Sequence, residues 1–328
     1  MDSKLSERLR QLLSASGTDG RNPSSLRDIV PPTDLVFDDS PLDGAIYGAS
    51  SVQESAANIF REAAAQLNGL IQSEFDTDED RVRALCDIVS KHSDISLPDY
   101  QRVRLTLERM TQRLASKVLS DPESGSDALL LAIYRLARAR KDREFQHASG
   151  NTLYRTWERI GKHNEAREVL CELIELARDQ GDATRVGILV NNCAFQYWLA
   201  GEWREAADGF LDAAHQFEEL GDTKEHANAF ANYWAAIFEL SALERVAVME
   251  PALRRTARIL RENDDWRERK SLVYLAKIHE ARHEFAQAVP LMERAVQIDS
   301  AKHTPYLEPD QQLLDAIYER LSSNSKGT

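Results

Sequence analysis

The chain has 328 residues, 42% of them hydrophobic and 29% charged, with 14 glycines and 10 prolines, a balance that fits a helix-leaning globular protein and excludes a low-complexity one. Its formal net charge of −13 repels a phosphate backbone at long range, which disfavours general nucleic-acid binding. The longest apolar run, around Leu129 to Ile133, is far short of the roughly 20 residues needed to cross a bilayer. Met1-Asp2-Ser3-Lys4 lacks the apolar core of a signal peptide, so no membrane association and a cytoplasmic location are expected.

In chain order, Leu5, Leu9, Leu12 and Leu13 form the stripe of a short amphipathic helix. From Ser14 to Ser51 no period persists and Ser, Gly, Asp and Pro recur, so residues 1–50 read as a flexible arm. Within it, Ile29 to Asp39 mixes apolar and acidic residues as linear binding motifs do. From Val52 the residues Ala56, Ile59, Phe60, Ala63, Ala64, Leu67 and Leu70 share one helical face that ends near Phe75. Thr77-Asp78-Glu79-Asp80 is a capping box. Asp76, Asp78 and Asp80 also have calcium-loop spacing, but Arg81 stands where that loop needs Gly. Two further helices are expected, from Pro98 to Leu119 and from Asp127 to Phe145, so that residues 51–146 form a helical lead-in, a degenerate helical pair. The basic strip Arg135, Arg138, Arg140, Lys141 and Arg143 is expected to share its helix with Asp142 and Glu144 as a solvated face.

Self-similarity follows. Gly161-Lys162-His163-Asn164-Glu165-Ala166 recurs as Gly201-Glu202-Trp203-Arg204-Glu205-Ala206 and as His283-Glu284-Phe285-Ala286-Gln287-Ala288. The step is about 40 residues, with Ala247 at the midpoint of the longer interval. The hairpins end in Gln180-Gly181-Asp182, Leu220-Gly221-Asp222 and Glu262-Asn263-Asp264, where Gly or Asn can supply a left-handed residue. Four hairpins are expected at residues 147–182, 187–222, 228–264 and 269–300, with an amphipathic capping helix in 305–328 carrying Leu313, Leu314, Ile317 and Leu321.

The pattern resembles the tetratricopeptide repeat (TPR). The second hairpin matches best through Cys193, Ala194, Tyr197, Gly201, Trp203, Ala206, Phe210 and Ala213; the third is weakest, because Arg254 replaces a small residue and Pro251 should open or kink a helix. The resemblance covers a little under half of the chain. It implies an all-α fold, a right-handed superhelical solenoid with an N-terminal helical region, and a concave face, lined by first helices, that binds another protein or an extended peptide.

At equivalent positions of three hairpins stand Asn151, Asn191 and Asn232, with Asn192 beside the second. In the subset with 40 to 42 residue repeats, which includes kinesin light chains, an Asn pair at the matching place holds a peptide backbone, and Val190-Asn191-Asn192-Cys193-Ala194 looks like that motif. Asn suits the task, because its amide pairs with both the C=O and N–H of an unpaired strand. Arg155, Phe195 and Trp198 lie along the same helices and would supply charge and apolar pockets. The competing reading is that these Asn residues cross-link neighbouring helices. The chaperone-tail clamp of related proteins is not expected, since Asn151 stands where Lys is required.

One string looks catalytic. His279-Glu280-Ala281-Arg282-His283 matches His-Glu-x-x-His, a zinc hydrolase motif when both imidazoles share one helical face. The repeat register instead puts His279 in the buried aromatic position and His283 in the turn. Cys86, Cys171 and Cys193 are far apart in sequence and read as reduced, mostly buried thiols rather than a disulfide framework. Neither metal nor cofactor is expected. The reading is a non-catalytic adaptor, chaperone or assembly factor; a peptide-sensing TPR regulator is the alternative, since Lys4 to Leu9 is similar to the opening helix of such proteins, and a zinc-dependent hydrolase is the third.

Overall fold

The computed structural model describes residues 77–91, 97–241 and 246–325, and among these residues there are twelve α-helices and no strand. The expected arm, its Ile29 to Asp39 segment, the helix from Val52 to Phe75 and the side chain of Ala247 lie outside the described residues. The chain divides into two compact units, residues 1–156 and 157–328.

The first unit opens on α1 (Asp78–Lys91), where Thr77 Oγ1 accepts from the Asp80 backbone N–H at 3.2 Å and Asp78, Glu79 and Asp80 fill the positive first turn. Then come α2 (Leu97–Ser120) and α3 (Asp127–Ala139). The three bury Val82, Leu85, Leu107, Leu114, Leu130 and Ile133 against one another. The helix α4 (Arg143–Arg159) begins in this unit and runs into the second. Residues about 40 apart meet between α2 and α4, a repeat-like step: Arg104 donates to Glu144 at 2.9 Å and Gln112 to Thr152 at 3.4 Å.

The expected helix from Asp127 to Phe145 is in fact two. Lys141 takes a left-handed φ of 54°, and the Asp142 N–H returns to the Ala137 carbonyl at 3.0 Å, which ends α3 before α4 starts. The basic strip is thereby split across a turn. Arg140 is half-buried, donating to the Val89 carbonyl at 2.6 Å, and Asp142 accepts from the Tyr100 hydroxyl at 3.1 Å, so this part of the strip ties helices together.

The second unit continues with α5 (His163–Asp179), α6 (Ala183–Leu199), α7 (Trp203–Glu219), α8 (Thr223–Ser241), α9 (Val246–Glu262), α10 (Glu268–Ala281), α11 (Phe285–Lys302) and α12 (Leu307–Ser325). It is an all-α solenoid of antiparallel TPR-like hairpins. A left-handed residue recurs at Gly161, Gly181, Gly201 and Gly221, then at Asp264, His283 and His303. At each, the next N–H bonds back to a carbonyl near the helix end, as Glu202 does to Tyr197 at 2.9 Å and Glu284 to His279 at 2.8 Å. In the third hairpin that residue is Asp264 rather than Asn263, which lies one position early. Pro251 lies inside α9, five residues after its first, and does not open it; Pro290 holds the same place in α11.

Small residues set the spacing between helices. Ala206, Phe210, Ala213 and Phe217 are buried along α7, and burying each Phe contributes roughly 1.5–3 kcal/mol. A Cβ on Gly209 would come within 2.9 Å of the Ala194 Cβ, and one on Gly187 within 2.9 Å of the Phe217 ring. At the far end α12 packs on α11 and buries Leu314 and Ile317 in a cluster with Met292 and Ala295.

Candidate functional site

The helices α6, α8 and α10 are the first helices of three successive hairpins. Asn191 on α6 and Asn232 on α8 occupy equivalent positions and touch: Asn232 Nδ2 donates to Asn191 Oδ1 at 3.0 Å. Asn232 is only 4% exposed, and its Oδ1 accepts from Lys270 Nζ on α10. A side-chain chain Asn191–Asn232–Lys270 therefore crosses three hairpins. Its orientation is fixed by chemistry, because an ammonium has only donors and must face the amide oxygen.

Aromatic rings flank the chain. Phe195 and Trp198 stack with centroids 5.5 Å apart and planes 11° from parallel, and Lys270 Nζ lies 5.4 Å from the first ring centre and 5.9 Å from the second. Burial, together with the charges of Arg269 and Arg267, pushes the Lys270 amine down to about 8. Arg267 itself is fixed, donating to both Glu225 carboxylate oxygens at 2.7 Å and to Asp265 Oδ2 at 2.6 Å, so α10 is tied to α8 at its start. Two turns along, a second coupling repeats the offset between α8 and α10: Lys277 Nζ is 3.8 Å from Glu239 Oε1 and 4.8 Å from the Tyr274 ring centre, and Tyr274 donates to Glu239 at 3.1 Å. Among the described residues, the buried indole N–H groups of Trp198 and Trp234 meet no hydrogen-bond acceptor.

Of the residues expected to form the groove, the second unit brings together Asn191, Asn232, Phe195 and Trp198, with Asn192 half-exposed beside them. Asn151 and Arg155 are exposed on α4 in the first unit, where Arg155 Nε donates to the Tyr154 hydroxyl at 3.3 Å. Sequence reasoning missed Lys270. Counting back from the turn, the matching position in the fourth hairpin is Val273, which is 7% exposed, and Lys270 stands one turn earlier with a stem long enough to reach Asn232.

His279 is 2% exposed at the end of α10, and both of its ring nitrogens are engaged. Arg254 approaches Nε2 at 3.1 Å and Glu284 Oε2 lies 2.6 Å from Nδ1. A guanidinium only donates, so Nε2 accepts and Nδ1 carries the proton to Glu284. His283 lies beyond the helix end at φ 62° and is exposed. The two imidazoles share no helical face, as the repeat register predicts, and among the described residues no cluster of three or more metal-ligating side chains occurs.

No family model matches the sequence, and no curated protein matches it either. Solved structures of similar shape include three repeat proteins. A kinesin light chain protein of Podosopora anserina with nearly identical TPR-like repeats aligns at a TM-score of 0.45 and 16% identity, over 60% of this chain and 95% of that one. A signal transduction ATPase with numerous domains and a tetratricopeptide repeat sensor, from Pyrococcus horikoshii, aligns at 0.49 and 12%, over 97% of this chain and 50% of that one. A Rap protein complexed with competence and sporulation factor aligns at 0.42 and 13%, over 98% of each.

The TPR-like character of this chain stands on its own hairpins: the repeating left-handed turns, the small residues Ala194, Ala206 and Ala213 at helix crossings, and the ring of Phe210 between them. Among the described residues no helix is long and apolar enough to cross a membrane.

Proposed function

We propose that the second unit binds an extended segment of another protein along the face of α6, α8 and α10, as an adaptor or assembly factor would. The Asn191–Asn232–Lys270 chain beside stacked Phe195 and Trp198 carries this reading. Asn232 is enclosed and spends its amide on its neighbours, so it serves as the bridge that orients the other two. Asn191 keeps amide donors for a backbone carbonyl of the segment, and the stacked rings offer an apolar seat for a side chain. Lys270 has protons left after bonding Asn232, and as an ammonium it suits an acidic side chain or terminal carboxylate.

The test is affinity capture with mass spectrometry, the wild type against a double variant, Asn191→Ala with Lys270→Ala. Each lost hydrogen bond is worth on the order of 1 kcal/mol, more for the charged one, so captured partners should fall at least tenfold. A folded double variant that captures the same partners to the same extent would sink the reading.

A further inference from the structure

The chain holds three free cysteines in three different settings. Cys86 is buried on α1, and burial alone pushes its thiol up to about 12, which leaves it inert. Cys171, on α5, is exposed, and Cys193, on α6, is half-buried. The register between these antiparallel helices brings the last two together. The Arg167 guanidinium lies 4.2 Å over the Tyr197 ring and donates to Glu202 at 2.8 Å. One turn forward along α5 from Arg167 is Cys171; one turn back along α6 from Tyr197 is Cys193. That register sets Cys171 and Cys193 side by side where α5 packs on α6. The expectation of mostly buried thiols is therefore corrected: only Cys86 is buried, and Cys171 faces solvent.

We propose that Cys171 and Cys193 form a dithiol site that exchanges with small-molecule disulfides and closes to a Cys171–Cys193 bond joining α5 to α6. The neighbouring Cys193 thiol holds the Cys171 thiol below the usual range, against burial and Glu175, with Arg167 and Arg178 assisting. Cys193 is pushed up, first by the neighbouring Cys171 and then by burial. Exposure divides the roles: Cys171, which faces solvent, attacks, and Cys193, half-buried beside it, resolves. The Cys171 thiolate attacks one sulfur of the disulfide, forming a mixed disulfide and releasing one thiolate. With the Cys171 charge gone, the Cys193 thiol gives its proton to that departing thiolate and attacks the Cys171 sulfur, releasing the second. Two protein thiols are oxidised and one external disulfide is reduced to two thiols.

The experiment treats the full chain with oxidised glutathione, blocks remaining thiols by alkylation, and maps peptides by mass spectrometry. The wild type should yield a Cys171–Cys193 linked peptide and retain no glutathione. Cys193→Ser should accumulate glutathione on Cys171. Cys171→Ser should react at Cys193 about tenfold or more slowly than the wild type reacts at Cys171. Circular dichroism establishes that both variants keep their helices, and Cys171→Ala replaces the Ser variant if that one unfolds. The proposal is overturned if the wild type ends with glutathione on Cys171 and a free Cys193, or if links form only between two chains.

Discussion

Lys270 donates to the carbonyl oxygen of Asn232 across 38 positions of sequence, and that bond decides which way round the Asn232 carboxamide sits. Because Asn232 is almost fully enclosed, its amide N–H is then directed at Asn191 Oδ1, and three hairpins are held in one hydrogen-bonded line.

Replacing Lys270 by Met keeps the aliphatic stem but leaves the Asn232 oxygen without a donor. A buried acceptor left unsatisfied costs about 1–3 kcal/mol, so above about pH 10.5, where the lysine is neutral in both states, the urea midpoint should drop accordingly. An unchanged midpoint would mean that water or a rearranged Asn191 satisfies the carbonyl.

The same lysine gives a pH signature. Its folded-state value, lowered to about 8, is below the 10.5 of an ordinary lysine, so between the two the folded chain binds fewer protons than the unfolded one. The Lys270 contribution to stability is present above about 10.5 and is lost as pH falls through 8. The wild type minus Lys270→Met stability difference, measured by urea unfolding across this window, should therefore become more favourable to the wild type as pH rises. A flat difference would contradict it.

At the other end of the solenoid, Arg269 Nε lies 3.0 Å from Asp299 and its Nη2 2.7 Å from Asp310. Burial pushes the Asp310 carboxyl up to about 6, opposed by Arg269 and reinforced by Asp299. Here the folded value exceeds the ordinary one, so the stability that protonation of Asp310 gives is complete below about 4 and lost as pH rises through 6. The wild type minus Asp310→Asn stability difference should decline over that interval; a rise would reverse the assignment.

Two substitutions probe the backbone. Gly209→Ala should cost roughly 1–3 kcal/mol through its collision with Ala194, outweighing the gain of about 1 kcal/mol in helix propensity. Lys141→Gly should stabilise the turn between α3 and α4 by about 1 kcal/mol, because a left-handed φ of 54° strains any side chain with a Cβ. Thermal unfolding of both, with the opposite order of midpoints, would count against the close approach and the strained turn together.

The repeat was legible where glycine marked it. Gly161, Gly181, Gly201 and Gly221 adopt the backbone state that glycine advertises, and the second hairpin follows its sequence pattern residue by residue. The signal failed where other residues bear the same conformation: Lys141 hid the break between α3 and α4, and Asp264 displaced an expected stop at Asn263. A step of about 20 residues back from Gly161 lands on Lys141, so spacing held the information that composition lacked. The contact between Asn191 and Asn232 follows from their shared register. Lys270 does not, because a long side chain serves a neighbour one turn away, and the Cys171–Cys193 pairing depends on a helix register that no local pattern encodes.

From Lys141 to Gly221 the backbone returns to one state at equal intervals, and such a chain can be lengthened in whole steps. Copying residues 182–221 in tandem would insert a complete hairpin between two existing ones, with Asn191 presented twice and every new helix meeting the partner surface it already has. A single residue added inside α6 would instead rotate all that follows by about 100° around that helix. The molecule should grow by the hairpin and tolerate nothing smaller.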